Sequence, residues 1–490
     1  MSNKRAIYLL VVFGVMFLTL IGYLTYLEIF YAPEYTQSVY NPRNYELDRK
    51  VIRGSVFDRN GTELAYSEKI TEEKSETVNG SRRNWTEEKI VRRYPFDNLY
   101  SHVIGYVTDD YSSRTLIENQ YNADLIESGL LSKIADEVKS GEKKGKDIYL
   151  TIDHELQKTA SDALGNHDGA IVAMNPKTGE ILAMVSKPDF NPNPGKLKLD
   201  ELENTALFSR AIQMPYPPGS TYKIVTAVSA IENGLINETY NDTTGRFVIK
   251  SADGKAENDF SCQNVNRKAY GETSLESGFR VSSNVYFSYI GAKLETSQIQ
   301  NTASKFLLNQ NIQKELGFDL PIKSSTFQTG KMTEAERAIA SIGQGQTEMT
   351  PLHMALMASS IANNGFMPRP YLVSKVGADG KIPSNNPGKQ IISASVASKI
   401  KDMMLDVVKN GTGTSAQISG IEVCGKTGTS ENNVTAKGGA DSAKTHALFV
   451  GFAPYDNPEI AVCVVVEYAG FGSTYAAPAA RKVMQKYFNK

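Results

Sequence analysis

The stretch YPPGSTYKIVTA, residues 216–227, places Ser220 three residues ahead of Lys223, behind two prolines and a glycine and before a run of helical character. Residues three apart on a helix share a face, so the hydroxyl and the amine are expected to be neighbours. Such a pair is either incidental to the surface or a nucleophile beside its base. The helix start favours the second reading, because backbone N–H groups there are free to stabilise negative charge. Ser-x-x-Lys occurs three times, at Ser140–Lys143, Ser220–Lys223 and Ser398–Lys401. The first lies in a charged linker, SGEKKGKD (140–147), and the third in a helix with several lysines, where it reads as a solvated face. Only Ser220 combines a turn, a helix start and apolar surroundings.

The 490 residues are 41% hydrophobic and 22% charged, sufficient for two or three domains and a large core. A net charge of −1 offers no support for nucleic acid as a partner. The three cysteines, Cys262, Cys424 and Cys463, show no CxxC spacing, against both a disulfide framework and a compact zinc module. A metal held by cysteines with His446 is conceivable, but ligand spacing gives it no support.

The run AIYLLVVFGVMFLTLIGYLTYL (6–27) carries no charge. As a helix rising about 1.5 Å per residue it spans roughly 33 Å, enough to cross a bilayer core. The continuation EIFYAPEY lacks a clear small-x-small site, which favours a retained anchor over a cleaved signal peptide. Lys4 and Arg5 precede the run, so the positive-inside rule puts the N-terminus in the cytoplasm and the remainder outside.

Residues 30–140 are polar and irregular. Beyond the linker, YLTIDHELQKTASDALGN (149–166) predicts a short strand and a helix capped by Asp153, and GAIVAMNPKTGEILAMVS (169–186) predicts a hairpin. MTPLHMALMASSIANNG (349–365) predicts an amphipathic helix capped by Thr350, with Pro351 at its first position. SASVASKIKDMMLDVVKNG (393–411) predicts another. Strands return as GIEVCGKTGT, HALFVGFAP and EIAVCVVVEY before a closing helix, APAARKVMQKYF. One sheet built from both ends of a domain, with helices packed on it, is the architecture this order suggests.

Two further short motifs matter. Lys-Thr-Gly occurs at 177–179, where it is turn chemistry at the hairpin tip, and at 426–428, after a strand-like run. Ser-x-Asn occurs at 282–284, 384–386 and 430–432; only the first, in FRVSSNVYF, is bracketed by apolar and aromatic residues. The order Ser-x-x-Lys, Ser-x-Asn, Lys-Thr-Gly is that of penicillin-binding proteins and serine β-lactamases. With RGSVFDRNGTELA (53–65), RRYPF and HVIGYV, TIDHELQKTA, SIGQGQTEMTPLHMA (341–355) and HALFVGFAP, the chain resembles a class B penicillin-binding protein of the penicillin-binding protein A or cell-division transpeptidase type over nearly everything after the anchor.

That resemblance implies an α+β fold: a transpeptidase domain with a mostly antiparallel central sheet between helices, on an elongated N-terminal pedestal and one transmembrane helix. The implied division is 1–28 stub and anchor, 29–147 pedestal or dimerisation-type domain, and 148–490 transpeptidase domain. The implied activity is D,D-transpeptidation of peptidoglycan stem peptides through a seryl acyl-enzyme formed at D-Ala-D-Ala, with β-lactams as alternative ligands and no cofactor. Ser220 would be the nucleophile, Lys223 its neutral base and Ser282 a proton relay. Asn284 would hold the substrate amide; Lys426, Thr427 and Thr429 would hold the terminal carboxylate, with Lys426 a permanent cation. Gly428 would let a substrate strand approach the backbone, and the N–H groups of Ser220 and Thr429 would form the oxyanion hole.

His154 and His353, on helices taken as amphipathic, and His446, opening a strand, read as structural or cleft-edge residues. A membrane-bound serine β-lactamase is the nearest alternative. Against it, no Glu-x-x-Leu-Asn segment lies between Ser282 and Lys426, and class D enzymes carry Ser-x-Val where this chain has Ser-Ser-Asn. A penicillin sensor would need an output domain, yet five residues precede the apolar run. A non-catalytic penicillin-binding scaffold is disfavoured by the intact motifs. No glycosyltransferase domain is visible, so glycan strands would come from a separate partner of the SEDS type and other cell-wall machinery.

Overall fold

A computed structural model of the chain describes residues 2–30, 51–78, 81–126, 144–202, 205–250, 259–378, 380, 387–431 and 445–489. The Ser140–Lys143 pair and the Ser-Asn-Asn at 384–386 lie outside these residues, and the linker and the Ser-Glu-Asn at 430–432 are described only in part.

Helix α1, Ser2–Phe30, is continuous, and its segment Ile7–Leu27 is long and apolar enough to cross a membrane. Large apolar side chains are exposed all around it from Ile7 to Tyr26. A helix apolar on every side needs an apolar surrounding rather than one partner face.

Strands β1 (Val56–Phe57), β2 (Glu63–Val78), β3 (Ser81–Arg93) and β4 (Ile148–Leu150) open the next body. β2 and β3 form a long antiparallel hairpin running from the pair Tyr66–Arg93 to the pair Val78–Ser81. At its root a buried ion cluster joins three segments. Glu118 accepts from Arg53 Nε at 2.7 Å and from Arg92 Nε at 2.8 Å, and all three side chains are buried.

The second body is built on β5 (Gly169–Met174) and β6 (Ile181–Lys187), the predicted hairpin; in its turn Asn175 Oδ1 accepts from the N–H groups of Lys177 and Thr178. There follow β7 (Thr239–Asp242), β8 (Arg246–Ile249), β9 (Phe260–Gln263), β10 (Gly271–Ser274), β11 (Phe366–Pro368), β12 (Val373–Val376), β13 (Gly388–Gln390), β14 (Cys424–Glu431), β15 (Thr445–Ala453) and β16 (Ile460–Val466). The central sheet has the order β14-β15-β16-β5-β6, antiparallel throughout, so both ends of the domain do build one sheet. Three small two-stranded ribbons pair β7 with β10, β8 with β9 and β11 with β13.

The remaining helices used below are α2 (His154–Leu164), α3 (Lys223–Glu232), α4 (Leu275–Arg280), α5 (Asn284–Lys293), α6 (Pro351–Ala362), α7 (Ala394–Asn410) and α8 (Ala476–Phe488). Asp153 caps α2 by accepting from Leu156 N at 3.0 Å, and Thr350 caps α6 by accepting from His353 N at 3.3 Å, both as predicted. α3 and α6 cover one face of the sheet through Val172, Leu448, Val450 and Cys463; α2 and α8 cover the other through Ile171, Phe449, Val462 and Val464. With both faces covered, every residue of β5, β15 and β16 is buried, which explains their near-continuous apolar sequences. Helix α6 is also buried at all 12 positions, correcting the expectation of an amphipathic helix.

The first sheet has the order β12-β4-β1-β2-β3. It therefore takes a strand from residues 373–376, far along the chain, and β4 lies between β1 and β12. The predicted division at 147/148 falls immediately before β4.

Glu118→Ala would leave two buried guanidinium groups without their shared anion. We expect it to destabilise the protein by about 3 to 5 kcal/mol, the usual effect of breaking a buried pair from one side. Denaturant unfolding checks this; an unchanged midpoint would mean that water or another acceptor replaces the carboxylate.

Candidate active site

Residues Gly219–Tyr222 form a 3₁₀ turn that runs directly into α3 at Lys223. A 3₁₀ turn has 3.0 residues, so positions three apart eclipse, and Ser220 lies under Lys223. Gly219 has φ +51° and donates its N–H to Gly343 O at 3.0 Å. A Cβ on Gly219 would stand 2.6 Å from Thr429 O, and one on Gly343 would stand 2.2 Å from Gly219 O. The turn is thus wedged, backbone against backbone, between β14 and the loop after residue 340. Thr221, Tyr222 and Lys223 are buried, while Ser220 is partly exposed.

The Lys223 amine is turned toward the Ser-Ser-Asn segment and makes no hydrogen bond to Ser220. It donates to Ser282 O at 2.8 Å, Asn284 Oδ1 at 2.7 Å and Ser282 Oγ at 3.3 Å. Lys426, on β14, donates to the same Ser282 Oγ at 2.8 Å and to Thr427 O at 3.1 Å. The three motifs therefore meet at one hydroxyl.

Ser282 occupies the turn between α4 and α5 with φ +57°. Its N–H bonds to Phe279 O at 3.2 Å and that of Ser283 bonds to Gly278 O at 2.8 Å. These are the two bonds of a Schellman helix end, whose left-handed position is ordinarily glycine. A serine there costs roughly 1 to 2 kcal/mol of backbone strain. The conformation turns both its carbonyl and its hydroxyl toward Lys223.

Both lysines are fully buried. Burial brings the Lys223 amine down to about 7. Burial, and then the charge on Lys223, push Lys426 well below the ordinary lysine range. The two amines meet at one hydroxyl, so charge on one opposes charge on the other. Each amine also lies over an aromatic ring, Lys223 5.5 Å from the centroid of Phe287 and Lys426 5.6 Å from that of Phe279.

The other predicted residues are placed as follows. Asn284 is already engaged at both ends, since its Nδ2 donates to Gln263 O at 3.1 Å. Thr427 Oγ1 lies 2.6 Å from Thr412 Oγ1, and Thr429 is partly exposed. At Gly428 the close approach comes from the protein itself. A Cβ there would meet Thr221 Cγ2 at 2.9 Å and Pro218 O at 3.2 Å, while one on Gly472 would meet Gly428 O at 2.4 Å. On that side the glycine admits the turn that carries Ser220.

His446 stands across from Ser430 on β14 and accepts from Tyr468 N through Nδ1 at 3.2 Å; burial pushes its imidazole down. Its ring packs against Tyr216, whose hydroxyl donates to Glu467 at 2.6 Å, and Glu467 also pairs with Arg210 at 2.8 Å. His353 is fully buried between Ser325 Oγ and Phe306 O, and His154 bonds to Tyr100, so the tertiary fold supplies partners that local sequence did not show. Among the described residues no group of three or more His, Cys, Asp or Glu side chains is placed to hold a metal, and the three cysteines are buried and form no disulfide.

Sequence comparison matches residues 169–485 to the penicillin binding protein transpeptidase domain. The chain belongs to this family. Among its relatives is the peptidoglycan D,D-transpeptidase MrdA of Acinetobacter baumannii, 30% identical over 453 residues covering 80% of this chain and 65% of MrdA. Another is the peptidoglycan D,D-transpeptidase PbpA of Mycolicibacterium smegmatis, 31% identical over 427 residues covering 80% of this chain and 83% of PbpA. This penicillin-binding protein thus spans just under two thirds of MrdA but most of PbpA. Its fold matches that of penicillin-binding protein A from M. tuberculosis, solved as a ceftriaxone acyl-enzyme complex, with a TM-score of 0.75, 27% identity and coverage of 91% of this chain and 99% of that one.

A base acts only when neutral. If Lys223 serves as the base, an amine near 7 means that the rate of acylation by a penicillin should rise through neutral pH and level off above it. A limb centred above about 9 would show an undepressed amine. Lys223→Met should slow acylation on the order of 10² to 10⁴-fold. The folded amine holds its proton less tightly than an unfolded lysine, so from about 7 to 10.5 the unfolded state binds more protons. Across that window wild type should gain stability relative to Lys223→Met as pH rises, a difference measurable by denaturant unfolding.

Proposed function

We propose that this protein is a membrane-anchored peptidoglycan D,D-transpeptidase that works through a serine acyl-enzyme on Ser220. The observation that carries the proposal is the convergence of Lys223 and Lys426 on the Ser282 hydroxyl, beside a clamped turn that leaves Ser220 accessible.

In this reading Ser220 Oγ attacks the carbonyl between the two terminal D-alanines of a stem peptide, and neutral Lys223 takes its proton. The N–H groups of Ser220 and Thr429 stabilise the oxyanion; losing one such donor costs about 2.7 to 4 kcal/mol of barrier. Lys426, Thr427 and Thr429 bind the terminal carboxylate. Its negative charge favours the ammonium form of Lys426, and that ammonium in turn holds Lys223 neutral. Substrate binding thus sets the two protonation states that the free protein leaves in competition. The proton passes by way of Ser282 to the departing D-alanine amine, and an acceptor amine then resolves the ester. Asn284 first supports Lys223, and an arriving substrate amide shares it.

The same attack opens a β-lactam ring, which would leave the drug on Ser220. The proposal includes residues 1–28 as a cytoplasmic stub and anchor, 29–147 as pedestal and 148–490 as the extracytoplasmic catalytic domain. Its partners would be stem peptides and a SEDS-type glycosyltransferase supplying glycan strands.

Intact mass of the full chain in detergent, followed over time with a penicillin, tests the reading. One long-lived drug adduct on wild type and none on Ser220→Ala is the expected outcome. Rapid loss of the adduct with drug turnover would favour a β-lactamase, and no adduct on wild type would overturn Ser220 as the nucleophile.

A further inference from the structure

The turn that carries Ser282 and Asn284 is held from below by two buried residues that none of the three motifs includes. Asn264, directly after β9, is 3% exposed, and Asp242, at the end of β7, is 1% exposed. Asn264 Oδ1 accepts from Ser283 Oγ and from Val285 N, each at 3.1 Å. Its Nδ2 donates to Asp242 Oδ2 and to Lys268 O, each at 2.8 Å. The amide is therefore saturated, with two bonds accepted and two donated.

Its orientation is also fixed. Reversing it would point N–H groups at the Val285 N–H and the oxygen at the Asp242 carboxylate. Asp242 is itself oriented by Gly245 N, which donates to Oδ1 at 2.7 Å. The neighbouring residue adds a further tether, since Gln263 O accepts from Asn284 Nδ2 at 3.1 Å.

A capping network beneath a helix is common, and by itself it would be a stability device. Here, however, the tethered residues, Ser283 and Val285, directly follow a strained serine and flank Asn284. Ser283 lies between Ser282 and Asn284, both of which touch the Lys223 amine, and Ser282 also touches Lys426. A left-handed serine persists only where its surroundings over-determine it. Resting on the transpeptidase reading above, we propose that Asn264, oriented by Asp242, is a positioning residue for acyl transfer, holding Ser282 and Asn284 in register with the two lysines. Displacements of about 1 Å at such a site cost on the order of 10²-fold in rate.

The test is acylation of the full chain by a fluorescent penicillin, with the rate and the titratable fraction of sites measured separately. Asn264→Asp keeps the shape and the oxygen facing Ser283 and Val285, but it removes both donors and sets a carboxylate against Asp242. We expect acylation slowed on the order of 10- to 100-fold with all sites still titratable. A purely structural role would lower the titratable fraction or the melting temperature without slowing the folded molecules.

The double variant Asp242→Asn/Asn264→Asp reverses donor and acceptor within the pair, so the amide at 242 donates to the carboxylate at 264. It should recover most of the lost rate. A wild-type rate in Asn264→Asp, or a double variant no faster than Asn264→Asp, would overturn the proposal. If Asn264→Asp does not fold, Asp242→Asn alone carries the same expectation, and a wild-type rate there would overturn it equally. Wild type separates the two readings: no adduct on it would sink the transpeptidase reading, whereas equal rates in wild type and variant would sink only the positioning role.

Discussion

Two buried lysine amines share one serine hydroxyl, and the architecture around the site serves to make that arrangement tolerable. An ammonium removed from water without a full set of acceptors is costly, so a group that must be buried is normally paired or neutral. Among the described residues no carboxylate hydrogen-bonds either amine. Lys223 has a carbonyl, an amide oxygen and a hydroxyl, and Lys426 has a hydroxyl and a carbonyl. Neutral acceptors support a proton without holding it as an ion pair would. That is the condition that the base role proposed for Lys223 requires, and it depends on oxygens held in place.

The fixing is done by backbone. Ser220, Ser282 and Lys426 come from a helix start, a helix–helix junction and a sheet edge, and a side chain at any of several glycines would drive these segments apart. Gly219 lies against Thr429, Gly343 against Gly219, Gly428 against Pro218, and Gly472 against Gly428. Contacts between main chains adjust less than contacts between side chains, because no rotamer can yield. The apolar sheet behind them, covered on both faces, supplies the stability that the strained serine and the buried amines subtract.

How much of this was legible in the sequence follows from the range of the interaction concerned. Asp153 and Thr350 cap their helices through residues three positions on, and Ser220 shares a turn with Lys223; such features are written in local spacing. That one sheet is built from both ends of the domain was legible because both ends carry apolar runs, the mark of strands covered on both faces. Asn264 and Asp242 were not legible. Each meets its partner across roughly twenty residues, and a buried asparagine has the same letter as one in a loop. One further expectation needed correction for a related reason. The apolar pattern of α6 does not distinguish one covered face from two. Gly428 was read as making room for substrate; that a Cβ there would also meet the chain's own Thr221 and Pro218 depends on a turn two hundred residues earlier.

The left-handed serine shows why the middle motif takes the form it does. A Schellman end needs a residue at positive φ, and glycine would satisfy the backbone with less strain. Glycine, however, has no hydroxyl to place between two amines. With serine at that position, one residue offers Lys223 both a carbonyl and a hydroxyl, and the next two complete the design: Ser283 caps α5 by accepting from Tyr286 N, and Asn284 supplies the third acceptor. The strain at Ser282 is therefore the consequence of asking one turn to end a helix, begin another and hold a hydroxyl between two amines. The network through Asn264 is what keeps the turn from relaxing into a form that would do only the first two.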